Sequence, residues 1–348
     1  MLTNNKIFVW NCRGASSSAF YRYCKNYVNQ YKPAMMIVVE TRCNPTLPSK
    51  AFKKLGYDMI ESSVNNGFTG GIIMGWRLGE MNVHVCQKNE QYNHVSIKED
   101  NDMKWYFTTV YARPNEDSKK ILWDDLKVIA SSMSDPWMLV GDFNDIAYVS
   151  DKRGGATPSM SRCRRFRDRM DMCLINDVEV RGPVFTWRGP IYHGGQHIYE
   201  KLDRAVSNDD WRLQFPDAYV KVLARVEFSD HHPILVNLRE EQSHWRERPF
   251  RFENAWLNND SYNSMLKEVW KKDSNVEGNL KNVVDGIKKW KLDSFDEIKR
   301  TKNSIMRKLG GIQRSLQMHD NVGGMRRLEV KLQKELSNIL NQEELLWH

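Results

Sequence analysis

The 348 residues contain no CxxC pair, no His/Cys cluster at metal-ligand spacing and no apolar run of membrane-spanning length. The first two absences leave no cysteine-built metal centre, and the third leaves no segment suited to a bilayer. The six cysteines are scattered, the usage expected of reduced thiols in an intracellular protein. The opening stretch Met1–Trp10 turns polar too soon for a secretory signal, so neither secretion nor membrane insertion is expected. Internal repeats and low-complexity segments are missing as well.

What is present is a globular composition, 41% hydrophobic and 28% charged. The formal charge of +8 favours an anionic partner, and the excess is shared evenly between residues 1–240 and the remainder. One stretch is dense in cations: Lys152, Arg153, Arg162, Arg164, Arg165, Arg167 and Arg169. A solvated helix face and a phosphate-binding face are equally compatible with it.

Residues 1–240 alternate short apolar runs with turn-rich stretches. Continuous runs predict buried strands at 6–10, 34–39, 70–76, 94–97, 105–111, 137–140, 185–187 and 233–238. Helical patterns fall at 19–31, 118–132 and 159–174. The expectation is an α/β fold, a four-layer sandwich of two packed β-sheets flanked by helices, followed by an all-α C-terminal helical hairpin. Charged residues 241–249 read as a linker ending in Pro249, and residues 250–348 as a helical appendage. There Ile298, Ile305, Leu309, Ile312 and Leu316 keep heptad-like spacing, which breaks at 318–324 and resumes at Leu328, Leu332, Leu336 and Ile339. A free coiled coil and a helix pair packed on the first domain both remain open. Self-association or a partner helix would act through residues 280–345. Residues 1–240 are expected to fold and bind metal alone.

Several strands end in residues that a core would reject: Asn11, Glu40, and Asp142 with Asn144. Gathered at one edge of a sandwich, such groups build a site on a rigid scaffold. In Gly141-Asp142-Phe143-Asn144 the two polar side chains are two apart, on one side of an extended segment. Ser229-Asp230-His231 sets a histidine beside a carboxylate, an arrangement for polarising an oxygen. Asp203, in Lys201-Leu202-Asp203-Arg204, is a carboxylate that could orient that histidine.

These elements, with Trp10-Asn11, Val39-Glu40-Thr41-Arg42 and Val110-Tyr111, occur in the order seen in the endonuclease/exonuclease/phosphatase superfamily, which the chain resembles. Residues 8–14, 185–188, 201–205 and 249–253 are further similar to the endonuclease and linker of plant LINE-type retrotransposons, domesticated fragments included. No reverse-transcriptase signature or zinc knuckle is visible. The resemblance implies a metal-dependent DNA endonuclease that nicks one strand and leaves a 3′-hydroxyl. It implies Mg²⁺, with Mn²⁺ as a substitute, on Glu40, with Asp230 as the additional metal-site carboxylate. Asn11 would help set the metal geometry, Asp142 would activate the attacking water, and Asn144 would contact the scissile phosphate. Tyr111 would bond a phosphate oxygen, while His231, paired with Asp203, would stabilise transition-state charge. Arg13, Arg42, Arg113 and Thr186 would contact DNA.

Arg13 departs from the apurinic-site repair branch, which has an aspartate at that position, and this disfavours abasic-site repair. The inositol-phosphatase signature around Asp203 is also missing. The alternatives are a same-fold phosphoesterase acting on a nucleotide, RNA or phospholipid head group, and a silent nucleic-acid-binding transposon remnant. A DNA-nicking role implies a nuclear location. Trp10, Trp76, Trp105, Trp137 and Trp187 sit in apolar runs and read as core; Trp245, Trp256 and Trp347 read as packing for the helical appendage.

Overall fold

The computed structural model describes residues 6–63, 70–99, 103–192, 196–239, 260–271, 275–294, 296–319 and 323–346. The chain begins β1 (Lys6–Asn11), α1 (Ser18–Tyr31), β2 (Met35–Val39), α2 (Thr46–Lys54), β3 (Met59–Ser62) and β4 (Ile72–Trp76). Next come β5 (Asn82–Lys88), β6 (Tyr92–Lys98), β7 (Lys104–Tyr111), α3 (Glu116–Ser131) and β8 (Trp137–Asp142). Then follow β9 (Lys152–Arg153), α4 (Met160–Met172), β10 (Asn176–Asp177), β11 (Val180–Arg181), β12 (Trp187–Tyr192) and β13 (Gln196–Glu200). The sheet region closes with β14 (Asp203–Ser207), α5 (Asp209–Gln214), β15 (Tyr219–Val222) and β16 (Ile234–Asn237). Four helices follow: α6 (Asp260–Val269), α7 (Val276–Ser294), α8 (Asp296–Met318) and α9 (Gly323–Leu346).

Two mixed sheets pack face to face. One has the order β11-β15-β16-β1-β2-β4-β3, the other β10-β14-β8-β7-β6-β5; β12, β13 and β9 form a small third sheet. Alternation along each strand builds the layers. In β1, Ile7 and Val9 join the core between the sheets, whereas Phe8 and Trp10 turn outward onto α1, with rings 5.1 and 5.6 Å from that of Tyr27. On the outer face of the second sheet, Leu122, Trp123 and Leu126 of α3 and Phe166 and Met170 of α4 cover Val110, Leu139 and Val206. The helices end where sequence chemistry directs: the Ser17 and Asn115 side chains accept the backbone N–H of Phe20 and Ser118 and cap α1 and α3. Four layers result, helix, sheet, sheet, helix.

Compact packing divides the chain into a first unit of residues 1–240 with 309–333, and a second of 241–308 with 334–348. This differs from the expected boundary, because the end of α8 and the start of α9 belong with the sandwich. The reason is polar. Gln313 and Gln317 bond sandwich backbone, and Glu329 takes a buried arginine of the sandwich. Leu332 and Leu336 are buried as the heptad spacing expects, but at the two ends of α9 Glu329 and Leu340 are buried where the spacing had Leu328, which is 45% exposed, and Ile339, which is half-buried. In the second unit, Tyr262, Ile287 and Trp290 form a small core, and Lys302 pairs with Glu343 at 2.6 Å. The linker 241–249, Trp245, Trp256 and Trp347 lie outside the described residues. Among the described residues, no helix is long and apolar enough to cross a membrane.

Candidate active site

Strand register assembles the site. β7 and β8 run parallel with Tyr111 opposite Asp142, and β14 runs antiparallel to β8 with Asp203 opposite Asp142. Three functional side chains therefore form one row across three neighbouring strands. In the other sheet β1 and β2 are parallel with Asn11 opposite Val39, so Glu40 follows directly at the same edge. The backbone there is held in unusual conformations. Arg13, Glu40, Arg42 and Asn144 have φ of 49, 57, 48 and 49°, four of the six positive-φ non-glycine residues among those described. Such clustering is typical of functional sites, where surrounding structure imposes the conformation. Gly141 is required for packing: a Cβ there would lie 1.9 Å from the Val110 carbonyl oxygen.

Asn11 ties the two sheets together. Its Nδ2 donates to Glu40 Oε2 and to Asp142 Oδ2, each at 2.8 Å. Asp142 Oδ1 accepts the Asn144 backbone N–H at 2.9 Å, and Oδ2 accepts Asn144 Nδ2 at 3.1 Å. Asn144 Nδ2 also donates to the Ala112 carbonyl at 2.7 Å. The amide expected to meet phosphate is thus engaged in fixing Asp142. His231 Nδ1 lies 2.8 Å from Asp203 Oδ2, both buried. Ser229 Oγ donates to the Asn11 carbonyl at 2.7 Å and accepts the His231 N–H at 3.1 Å, which locks the histidine loop to β1.

Burial raises the Asp142 carboxyl to about 7; Asp203 adds to the rise, while His231 and the hydrogen bonds from Asn144 and Asn11 oppose it. For His231 burial alone would lower the imidazole, but Asp203, Asp142 and Asp230 outweigh burial and raise it to about 9. Burial, with Glu40 and Asp142 nearby, pushes the Tyr111 phenol well above its usual value.

A cation would meet suitable donors here. Atoms of Glu40, Asp142 and His231 lie within 4.8 Å of one another. The two carboxylates are hard oxygen donors of the kind Mg²⁺ and Mn²⁺ take. His231, raised to about 9, holds its proton at neutral pH and does not suit a metal bond. Asp230, expected as a further metal carboxylate, is not in this cluster. Its Oδ2 accepts Arg13 and, at 2.9 Å, Trp187 Nε1, although Oδ1 is buried without a hydrogen-bond partner and stands 3.9 Å from His231 Nε2.

Tyr111 and Asp142 of this row, with Glu40, Asn144 and His231, line an open cleft of 640 Å³ whose walls include Arg13, Arg42, Arg162 and Trp187. Arg42 pairs with Glu40, and Arg13 reaches toward both Glu40 and Asp230. Two expected DNA contacts are placed otherwise. Thr186 is buried, and its hydroxyl accepts the Leu202 and Asp203 backbone N–H at 3.0 and 2.8 Å, so it supports the site from beneath. Arg113 pairs with Glu90 and is not among the cleft-lining residues. Part of the basic stretch is ion-paired: Arg162 binds Asp145 at 2.7 Å, Arg169 binds Glu116 at 2.5 Å and Lys152 binds Glu200 at 2.9 Å. Trp187, read as core, instead lines the cleft and holds Asp230. Its indole N–H needs a partner at a half-buried position, and the only sequence sign was its place in the LINE-like segment 185–188.

A two-sheet sandwich with carboxylates, an amide and a carboxylate-bound imidazole at one edge is a scaffold for phosphoester hydrolysis. Residues 8–231 match the Endonuclease/Exonuclease/phosphatase family, and the chain belongs to it. Members of this family hydrolyse phosphoester bonds and typically use divalent metals. No curated protein matches the chain. Solved structures share the fold. An AP endonuclease from Leishmania major is 14% identical with a TM-score of 0.52, over 67% of this chain and 86% of that one. The Neisseria 3′ phosphatase NExo bound to a product DNA hairpin is 16% identical at 0.50, over 67% and 98%. The endonuclease domain of TRAS1, a telomere-specific non-LTR retrotransposon, is 14% identical at 0.49, over 68% and 100%.

Proposed function

We propose that the chain is a Mg²⁺-dependent endonuclease that nicks one strand of duplex DNA and leaves a 3′-hydroxyl, as a LINE-type element requires to prime synthesis at its target. The observation that carries this reading is the Asp142 carboxylate, held by Asn11 and Asn144 beside the Asp203-bound His231 on the floor of an open cleft. The LINE-like segments 8–14, 185–188 and 201–205 support the choice of DNA over other phosphoesters.

In this reading Asp142 accepts a proton from the attacking water as its oxygen bonds to phosphorus. The bond from phosphorus to the 3′ oxygen breaks, that oxygen takes a proton from solvent water in the open cleft, and a 5′-phosphate remains on the other strand end. His231 presents Nε2–H to a non-bridging phosphate oxygen, with its charge maintained by Asp203. Tyr111 offers its phenol proton to a second oxygen. Glu40 and Asp142 would hold the cation, which when bound supplies positive charge against the phosphate oxygens and the leaving group. Arg13 and Arg42 at the rim meet flanking phosphates. The end chemistry is the test. DNA polymerase should extend the nick directly; a nick that needs phosphatase treatment before extension would assign the other ester bond.

A further inference from the structure

The loop that carries Asp230 and His231 is not held by the sandwich alone. Two i,i+4 glutamines of α8 each bond both the backbone N–H and the backbone carbonyl of one residue beside it. Gln313 accepts the Arg225 N–H at 2.9 Å and donates to the Arg225 carbonyl at 2.8 Å. Gln317 treats Phe185 the same way, at 3.1 and 2.9 Å. From α9, buried Glu329 takes Arg225 Nη2 at 2.6 Å and Gln313 Nε2 at 3.1 Å on one oxygen, and Arg188 Nη1 at 2.9 Å on the other.

Both clamped segments lead straight to the site. Arg225 Nη1 donates to the Ser229 carbonyl at 3.3 Å. The Arg188 N–H donates to the Asp230 carbonyl at 3.0 Å, and the His232 N–H to the Thr186 carbonyl at 2.7 Å, so segments 185–188 and 229–232 are bonded to each other around His231. Arg225 is buried, and burial beside Arg188 lowers its guanidinium to about 10 despite Glu329. A buried cation with one carboxylate partner fixes geometry strictly, because losing that carboxylate strands the charge.

We propose that the segment 309–333 is a working part of the active site, with Glu329, Gln313 and Gln317 as positioning residues that fix the Asp230–His231 loop against Thr186 and Trp187. The catalytic consequence rests on the hydrolytic reading above; the clamp itself does not. Loosened, the loop would still admit DNA at the rim but would present His231 poorly, so turnover falls more than affinity.

The test compares the full chain with Glu329→Gln, Gln317→Leu and Val330→Ser, the last an exposed neighbour serving as control. Plasmid nicking is read as kcat and KM, and amide hydrogen exchange is read along the chain. Expected for both clamp variants is a kcat loss of about 10-fold or more with KM within about 2-fold, the size typical of lost supporting contacts. Exchange should quicken by about 10-fold at 185–188 and 225–232 and stay unchanged in β1 and β8. Gln317→Leu keeps the Glu329 ion pairs and guards against a result that reflects misfolding alone. Unchanged kcat and exchange in folded variants would overturn the proposal, as would exchange rising equally across the sandwich. If the natural chain does not nick DNA, the nuclease reading falls, while the exchange pattern still decides the clamp.

Discussion

His231 Nδ1 and Asp203 Oδ2 stand 2.8 Å apart, contributed by a loop and by the first residue of β14, both side chains buried. The pair keeps the imidazole charged and aims Nε2 away from Asp203. Asp203→Asn should preserve the fold and lower kcat by about 10³-fold, within the range for a disabled acid–base partner. Nicking rates beside a circular dichroism spectrum check it; a loss under about 10-fold would remove Asp203 from the mechanism.

Glu40 is expected to dominate cation binding, because among the described residues its Oε1 is countered by the half-exposed Arg13 and Arg42, and Oε2 is fixed by Asn11. Glu40→Gln should weaken Mg²⁺ or Mn²⁺ by about 10–100-fold in calorimetric titration. Asp230→Asn should weaken it less, since that carboxylate lies outside the donor cluster. The reverse order would move the metal to Asp230.

Buried His94 and His232 should each lower stability in mild acid, against Asp142 and His231, whose raised values favour the fold as pH falls. Burial lowers His94 to about 4 and His232 to about 3, so both are neutral in the fold. The unfolded chain protonates them near pH 6.5. Their contribution is therefore complete above that pH and is lost as pH falls toward their folded values, about 2 kcal/mol for His94 by pH 5. The loss of stability between pH 7 and 5 should be smaller by about 2 kcal/mol in His94→Phe, with the His232 part remaining; an unchanged difference would contradict the assignment.

At Gly141 any side chain collides with backbone, not with a movable neighbour. Gly141→Ala should cost more than about 3 kcal/mol or shift β8 against β7, with loss of activity in either case. Normal melting and nicking would show that the register can adjust.

Thr186→Val should lower stability by about 1–3 kcal/mol, because two buried N–H groups lose their acceptor. Its effect on DNA affinity should be small. A salt-dependent affinity loss without destabilisation would restore Thr186 as a DNA contact.

Much of the sandwich was legible because β1, β2, β4 and β8 are apolar runs buried on both faces. β5 escaped notice as an exposed edge strand, only its alternate residues being partly covered. β14 escaped because Arg204 reads as surface, yet it is fully buried between Asp151 and Asp177. The polar strand ends Asn11, Glu40, Asp142 and Asn144 were legible as a group, since a core rejects them. What a polar residue does inside the fold was not: Thr186 turned out to be a backbone acceptor, Asn144 holds Asp142, and Glu329 hid in a heptad pattern. Burial of such groups depends on a partner distant in sequence, which local pattern does not encode.

The most direct measurement is conversion of supercoiled plasmid to nicked circle in Mg²⁺ or EDTA by the natural chain, Glu40→Ala and Asp142→Asn. The account predicts nicking that needs the cation and falls by about 10³-fold or more in both variants. Nicking that survives both substitutions, or a cleanly folded natural chain that leaves the plasmid intact, would contradict it.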